Sequence, residues 1–528
     1  MDHRAVDEDP FVDPVHPHPH SEERQRPVED STLIAGRTAS LTLGTDSLIV
    51  LDEGFAQRKR WNCCGLLGNE SKTTHAIPFY NILWAELSQF EISIRYARPT
   101  ATDVVRVSTI NYPIEKPDHP RAISWVEHLL DRAYGESQRK KRIKLLVNPF
   151  GGQGKAQKWY LRDIEPIFAA ARCEIDLQKT QYRAHAVEIA EKLDVDAFDV
   201  IAACSGDGLP HEIINGLGKK ADARRALRKI AVVQLPCGTG NAMSWNLNGS
   251  DSPSLAALAI VKGIKTPLDL VSITQGDRRT LSFLSQAVGI IADADLATEH
   301  LRWLGSARFT YGVLVRLLQK TVYPCDLAVK VVVATKAEVR EHYRQALNDR
   351  SLPENHRGGP SSQAAGDENQ NLRGLPELRY GTVNDALPED WTLVPYDTMG
   401  NFWCGNMAFM AAQNNPFPGA LPNDGCMDLV TIDGDISRWK AIQCVSGVET
   451  GKFFDMAHVN YRKISGYRII PRDQQDGYIS IDGERMPFEP FQAEVHRGLG
   501  TVLSKSGHVY EAPGVVSKNG ESSSSLRA

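Results

Sequence analysis

The chain has 528 residues, 42% of them hydrophobic, and a formal net charge of −5, which suits two or three domains with real cores and argues against a nucleic-acid binder, whose domains are usually basic. No apolar run approaches the roughly 18–20 residues of a membrane span, and no charged-then-apolar signal opens the chain. Nine cysteines without a Cys-x-x-Cys suit a reducing compartment, with neither structural disulfides nor a zinc site.

Residues 1–30 are rich in Pro, Asp, Glu and His and are expected to be a disordered tail. His16-Pro-His-Pro-His20 has metal-ligand chemistry, but so polar a stretch has almost nothing to bury. Residues 31–139 read as short strands (40–43, 47–51, 91–96, 104–108) followed by a helix over 120–134 with Ile123, Val126, Leu129 and Leu130 on one face. Several strands closed by one amphipathic helix resemble a pleckstrin-homology-like module, a likeness from which lipid binding does not follow. Inside it lies Arg58-Lys-Arg-Trp-Asn-Cys-Cys-Gly-Leu-Leu67. A basic cluster beside Trp, Cys and Leu suits a peripheral membrane anchor, with Cys63 and Cys64 as candidates for acylation. An ordinary loop is the alternative.

Three strand–glycine-loop–helix units come next: Leu-Leu-Val-Asn-Pro-Phe-Gly-Gly-Gln-Gly-Lys (145–155), Cys-Ser-Gly-Asp-Gly-Leu-Pro-His-Glu (204–212) and Leu-Pro-Cys-Gly-Thr-Gly-Asn-Ala (235–242). Each follows an apolar run with strand character (143–147, 200–203, 230–235). Loops leaving the carboxyl ends of parallel strands form a ligand crevice, where glycines let backbone N–H groups approach phosphate. A P-loop is excluded because its first glycine would fall at Pro149 and Ala156 offers no hydroxyl after Lys155. The Rossmann pattern fails at Gln157 and Met243, and the protein-kinase motifs are absent.

A helix over 254–262 ends at Gly263, and Thr266-Pro267 is the expected border between a nucleotide lobe (140–267) and a second lobe (268–512). That lobe reads as antiparallel strands (279–287, 327–334, 393–409, 426–432, 477–481, 493–495). Residues 342–390, polar and poor in large apolar side chains, are expected to be a disordered, mobile insert, and 513–528 a disordered Ser-rich tail.

The motifs Asn148-Pro-x-Gly-Gly-x-Gly-Lys, Ser205-Gly-Asp-Gly-Leu-x-His-Glu-x-x-Asn-Gly216 and Pro236-x-Gly-Thr-Gly-Asn-Ala resemble blocks of the diacylglycerol-kinase catalytic superfamily. Gly289-Ile-Ile-Ala-Asp-Ala-Asp-Leu-Ala-Thr-Glu-His-Leu-Arg-Trp-Leu-Gly-Ser-Ala-Arg-Phe309 is more specific and looks like the substrate block of sphingosine (long-chain base) kinases. Asp424-Gly-x-Met-Asp-Leu, Ile481-Asp-Gly-Glu and Phe491-Gln-Ala-Glu-Val-His continue the same order. The likeness spans about 141–503 and departs at Phe150, Ala294 and Ala297, where the family has basic, bulkier or acidic residues.

This resemblance implies an α/β lobe with a parallel sheet and an antiparallel, β-sandwich-like lobe. It implies an ATP- and Mg²⁺-dependent lipid kinase acting on the primary hydroxyl of sphingoid bases, with no fixed metal site made by protein alone. Asp207, at the crest of a strand-to-helix turn, would be the base; a plain helix cap is the alternative. Nucleotide contacts are implied for Asn148, Pro149, Phe150, Gly151, Gly152, Gly154, Thr180, Arg183, Ser205, Gly206, Gly208, Glu212, Gly238, Thr239, Gly240, Asp482 and Gly483, with Arg302 and Arg308 neutralising phosphate charge. Asp482-Gly483 is also a natural hairpin turn. Gln286, Ala287, Val288, Gly289, Ile290 and Ile291 would line the acyl chain. Asp295 would pair with the cationic amine, with Asp293 as alternative, and Glu299 belongs to the same block. A diacylglycerol or ceramide kinase, or a non-catalytic nucleotide-binding lipid sensor, are the competing functions. The expected setting is cytoplasmic, with peripheral contact to endomembranes or plasma membrane and a homodimer left open.

Overall fold

A computed structural model describes residues 31–36, 39–52, 74–149, 154–238, 240–297, 307–319, 321–349, 373–412, 414–449, 452–474 and 477–511. The tails expected at 1–30 and 513–528, and Cys63, Cys64, Phe150, Gly151, Gly152, Thr239, Glu299 and Arg302, lie outside the described residues.

The first module pairs a four-stranded antiparallel sheet, β1 (Thr32–Ala35), β2 (Ala39–Leu43), β3 (Ser47–Asp52) and β4 (Thr74–Pro78), with a three-stranded one, β5 (Ile82–Leu87), β6 (Glu91–Ala101) and β7 (Val104–Pro113). Helix α1 (His119–Tyr134) follows and stops at Gly135, whose N–H bonds back to Asp131 O at 2.8 Å. Its buried stripe is Ala122, Trp125, Val126, Leu129, Leu130 and Ala133. Ile123, expected on that face, is 57% exposed, because the 3.6-residue period puts position 123 at the rim of the stripe centred between Trp125, Val126 and Leu129.

The module is not merely tethered. Trp125, Leu129, Ile143, Leu145 and Phe168 belong to one core. Val105 N–H donates to Ser254 Oγ at 3.1 Å, and Arg106 pairs with Asp163. Two lysines are sunk into the junction. Lys141 Nζ donates to Ser137 Oγ and to the carbonyls of Gln138 and Val261 at 2.7–2.9 Å. Lys262 Nζ donates to Ala133 O at 2.9 Å and lies 3.8 Å over the Tyr134 ring. Burial holds both below the ordinary ammonium range, Lys141 at about 8.

The nucleotide lobe is a parallel sheet in spatial order β11-β10-β8-β9, from β8 (Arg142–Val147), β9 (Glu174–Lys179), β10 (Val200–Ser205) and β11 (Ala231–Pro236). The two central strands and β11 are almost wholly buried, as parallel strands covered on both faces are. Helices α2 (His185–Lys192), α3 (Gly208–Gly218), α4 (Ala223–Lys229), α5 (Ala242–Asn248) and α6 (Pro253–Lys262) connect and cover it.

Among the described residues the second lobe forms one eleven-stranded antiparallel sheet. Its elements are β12 (Ile264–Gln275), β13 (Arg278–Ser282), β14 (Ser285–Gly289), α7 (Ile290–Ala297), α8 (Ala307–Gln319), β15 (Cys325–Val333), α9 (Lys336–Asp349), β16 (Val394–Tyr396), β17 (Met399–Gly405), β18 (Met427–Asp433), α10 (Arg438–Glu449), β19 (Asn460–Pro471), β20 (Ile479–Ile481), β21 (Glu484–Met486) and β22 (Phe491–Ser504). Three expectations are corrected. The border at Pro267 falls inside β12, where proline is tolerated because β13 pairs only from Val271 onward and a bulge follows at Leu268/Leu270. The strand expected over 279–287 breaks into β13 and β14 at Phe283-Leu284. The insert expected over 342–390 begins as helix α9 and ends docked on the sheet, with the Arg379 and Tyr380 N–H groups donating to Glu494 at 2.9 and 2.8 Å.

Candidate active site at the glycine loops

Parallel register decides which loops meet. Cys204 pairs with Val147 and Ser205 with Pro236, so β8, β10 and β11 end level and release their loops at one edge. The second and third loops touch: a β-carbon on Gly238 would lie 2.3 Å from Gly206 Cα, so only hydrogen fits. The Asn241 side chain closes the third loop, accepting the Gly238 N–H at 2.9 Å and donating to Gly238 O at 3.0 Å.

Asp207 precedes α3 yet makes no capping bond to it. Its carboxylate turns across to the third loop instead. Oδ2 accepts the Ala242 N–H at 3.0 Å, and Oδ1 accepts the Met243 N–H at 3.1 Å and a Gln234 amide hydrogen at 3.2 Å. Asp207 therefore ties two glycine loops together, which corrects the alternative of a cap on its own helix. Burial raises its pKa, outweighing the three donors, and the Asp482 charge pushes the same way. A carboxylate readied to take up a proton is what a general base requires.

Asp482 lies at the tip of the β20–β21 hairpin and holds the opposite wall. Its buried carboxylate accepts Ser282 Oγ–H at 2.6 Å, the Phe283, Leu284 and Ser285 N–H groups at 3.0–3.1 Å, and His211 Nδ1 at 2.8 Å. Those bonds make the break between β13 and β14. Burial opposes charge on His211, but the Asp482 hydrogen bond and the charges of Asp482, Glu484 and Glu212 prevail, so its pKa rises. Asn215 adds a second tie between lobes, exchanging hydrogen bonds with the Leu281 N–H and C=O at 2.9 Å. Arg183 pairs with Glu484 as a third.

The other expected nucleotide residues take varied places. Glu212 accepts the Ala184 and Ala186 N–H groups at 3.0 and 3.1 Å, so it caps α2 and shapes the loop after Thr180 rather than facing solvent. The buried Thr180 donates its N–H to Val147 O at 3.0 Å. The Asn148 N–H donates to Cys204 O at 3.3 Å, holding the first loop beside the second. Pro149 and Gly154 flank the undescribed crest of that loop, and the Ser205 hydroxyl bonds to Gly206 O at 2.7 Å. Glu484 Oε1 lies 3.5 Å from where a Gly208 β-carbon would stand. An open groove of about 380 Å³ beside Lys144, His185 and Phe198 lies on the flank of this lobe and is not lined by Asp207.

In the substrate block, Ala287, Val288 and Ile290 are buried, Ile291 is half-buried, and the chain turns at Gly289 from β14 into α7. Gln286 is also buried, its amide donating to Ser282 Oγ at 2.7 Å. Asp293 is engaged by Arg316, at 2.8 and 2.9 Å, and by Tyr323 OH at 2.8 Å. Asp295 Oδ2 instead lies 4.0 Å from the β-carbon position of Gly483, beside the hairpin tip. Arg308 falls in α8, its side chain outside the described atoms. Gln234 and Arg316 were not singled out in the sequence, and Glu484 entered only as the last residue of the Ile481-Asp-Gly-Glu motif; Gln234 had a signal there, a lone amide in an otherwise apolar strand, which must find partners when buried.

Residues 142–273 match the diacylglycerol kinase catalytic domain, and residues 31–135 match a domain of unknown function (DUF7493). The chain is similar to sphingoid long chain base kinase 5 of Saccharomyces cerevisiae, at 35% identity over 79% of this chain and 67% of that one. It is also similar to sphingoid long chain base kinase 4 of Schizosaccharomyces pombe, at 32% over 81% and 88%. Against sphingosine kinase 1 of Homo sapiens the figures are 28% identity over 69% and 90%.

Proposed function

The chain belongs to the sphingoid long-chain base kinases, lipid kinases that phosphorylate sphingoid bases, and from there we propose how its residues divide the reaction with ATP. Asp207 is the general base. It accepts the proton of the substrate's primary hydroxyl as that oxygen attacks the γ-phosphorus and ADP leaves. The observation that carries this is the Asp207 carboxylate, gripped by donors where the second and third glycine loops meet. The glycine loops supply backbone N–H groups to the phosphates. Mg²⁺ arriving with ATP supplies charge neutralisation; among the described residues no group of three or more His, Cys, Asp or Glu side chains forms a cage of its own for it.

Asp295 reads the substrate amine. Asp295 stands beside the β20–β21 hairpin tip, whose Glu484 borders Gly208 next to the base. A long-chain base carries a cationic amine that ceramide and diacylglycerol lack, so a desolvated carboxylate selects for it. Asp295→Asn should weaken kcat/KM for sphingoid bases by about 2–4 kcal/mol, while N-acetylated analogues, poor substrates at the start, lose much less. Michaelis parameters for both substrates on both proteins decide it; an equal fall would mean that Asp295 supports the loop or contacts a hydroxyl.

A pleckstrin-homology-like assignment for residues 31–139 is supported by the four- and three-stranded sheets closed by α1. Its shared core with the nucleotide lobe favours a scaffold role for the module. No described helix is long and apolar enough to cross a membrane, and access to a membrane-borne substrate is assigned to peripheral contact.

A further inference from the structure

We propose that Gln234 is a positioning residue that dictates which oxygen of Asp207 takes the substrate proton, an inference that rests on Asp207 being the base. Gln234 sits in β11 and is 1% exposed. Its amide cannot be turned round. Oε1 accepts the Ser244 N–H at 2.9 Å, which only an oxygen can do, so Nε2 faces Asp207 Oδ1 at 3.2 Å and Ser205 O at 3.4 Å.

Counting lone pairs then separates the two carboxylate oxygens. An ionised carboxylate offers about four acceptor sites. Oδ1 receives both Gln234 and Met243, so it is the more heavily engaged of the two oxygens. Among the described residues Oδ2 receives only the Ala242 N–H, which leaves room on it for one more donor. The space before Oδ2 is kept clear by Gly240, where a β-carbon would come within 3.2 Å of it. The substrate O–H bond therefore breaks toward Oδ2. The freed oxygen bonds to the γ-phosphorus, the bridging P–O bond to ADP breaks, and the proton rests on Oδ2. Without Gln234 both oxygens could take the proton, and the carboxylate could rotate out of line. The charge acting on this base is Asp482 on the facing hairpin, with His211 on α3 bonded to Asp482 and Glu484 beside Gly208, and all three remain in the variants below.

Two variants test the assignment. Gln234→Met keeps length and bulk but removes the donor. Its kcat should fall about 10–100-fold with the KM for ATP unchanged, and the acid limb of the pH–rate profile should move to higher pH, because a carboxylate that loses a donor holds its proton more tightly. Gln234→Glu should recover at acid pH, where the neutral carboxyl still accepts from Ser244 and donates to Asp207. It should lose activity as pH rises and two carboxylates face each other, a descending limb absent from the native enzyme. Native limbs in both variants, or a loss equal at every pH, would overturn the positioning role. Failure of the base assignment shows separately, as turnover retained by Asp207→Asn with Gln234 intact.

Discussion

Replacing Asp207 with Asn is expected to lower kcat by about 10²–10⁴, the usual share of a positioned general base. The amide cannot take up the hydroxyl proton. It also cannot satisfy all three donors that grip the carboxylate, because its NH₂ must oppose one of the N–H groups of Ala242, Met243 or Gln234. With the oxygen kept toward its two donors, the NH₂ meets the Ala242 N–H, and one buried donor goes unpaired at a cost of about 1–3 kcal/mol. The variant should thus fold, bind ATP with near-native affinity and unfold at modestly lower denaturant. Labelled-phosphate transfer at saturating substrate checks it, and more than a tenth of native turnover would sink the assignment.

The second large effect is on stability. Asp482→Ala removes the acceptor for the Ser282 hydroxyl, three backbone N–H groups and His211 at once. Breaking a buried, hydrogen-bonded charge pair from one side costs on the order of 3–5 kcal/mol. The cost should depend on pH. The folded-state pKa of His211 is raised above its ordinary 6.5. Its pairing with Asp482 is therefore fully stabilising below that value and is lost as pH rises through the folded pKa. Denaturant unfolding should show a larger penalty at pH 6 than at pH 9, and His211→Gln should abolish the difference. A penalty equal at both pH values would mean that the backbone N–H groups, not the imidazole, carry the carboxylate's contribution.

The parallel strands and their glycine loops were legible because each unit states itself locally: an apolar run, a loop that tolerates close backbone approach, then helical periodicity. The antiparallel lobe was less so. β12 was missed because Pro267 looks like punctuation, and only the pairing pattern, with β13 beginning at Val271, reveals that one side of the strand is free there. The docked part of the insert was missed for a similar reason. Arg379 and Tyr380 are held by Glu494, more than a hundred residues away, and their own sequence is polar.

The candidate site divides in the same way. Sequence by itself determined the residue types at each loop and the class of lipid kinase, since motif spacing within a strand–loop–helix unit is a local property and relatives share it across most of the chain. Only the tertiary structure decided what each carboxylate does. Asp207 caps a helix that begins 35 residues later, Glu212 caps one that begins 27 residues earlier, Asp482 closes a turn 200 residues away, and Asp293 is engaged by Arg316. A carboxylate can accept several hydrogen bonds from many directions, so its partners are set by which donors the fold brings within bonding distance, and nothing in its neighbours along the chain records that choice.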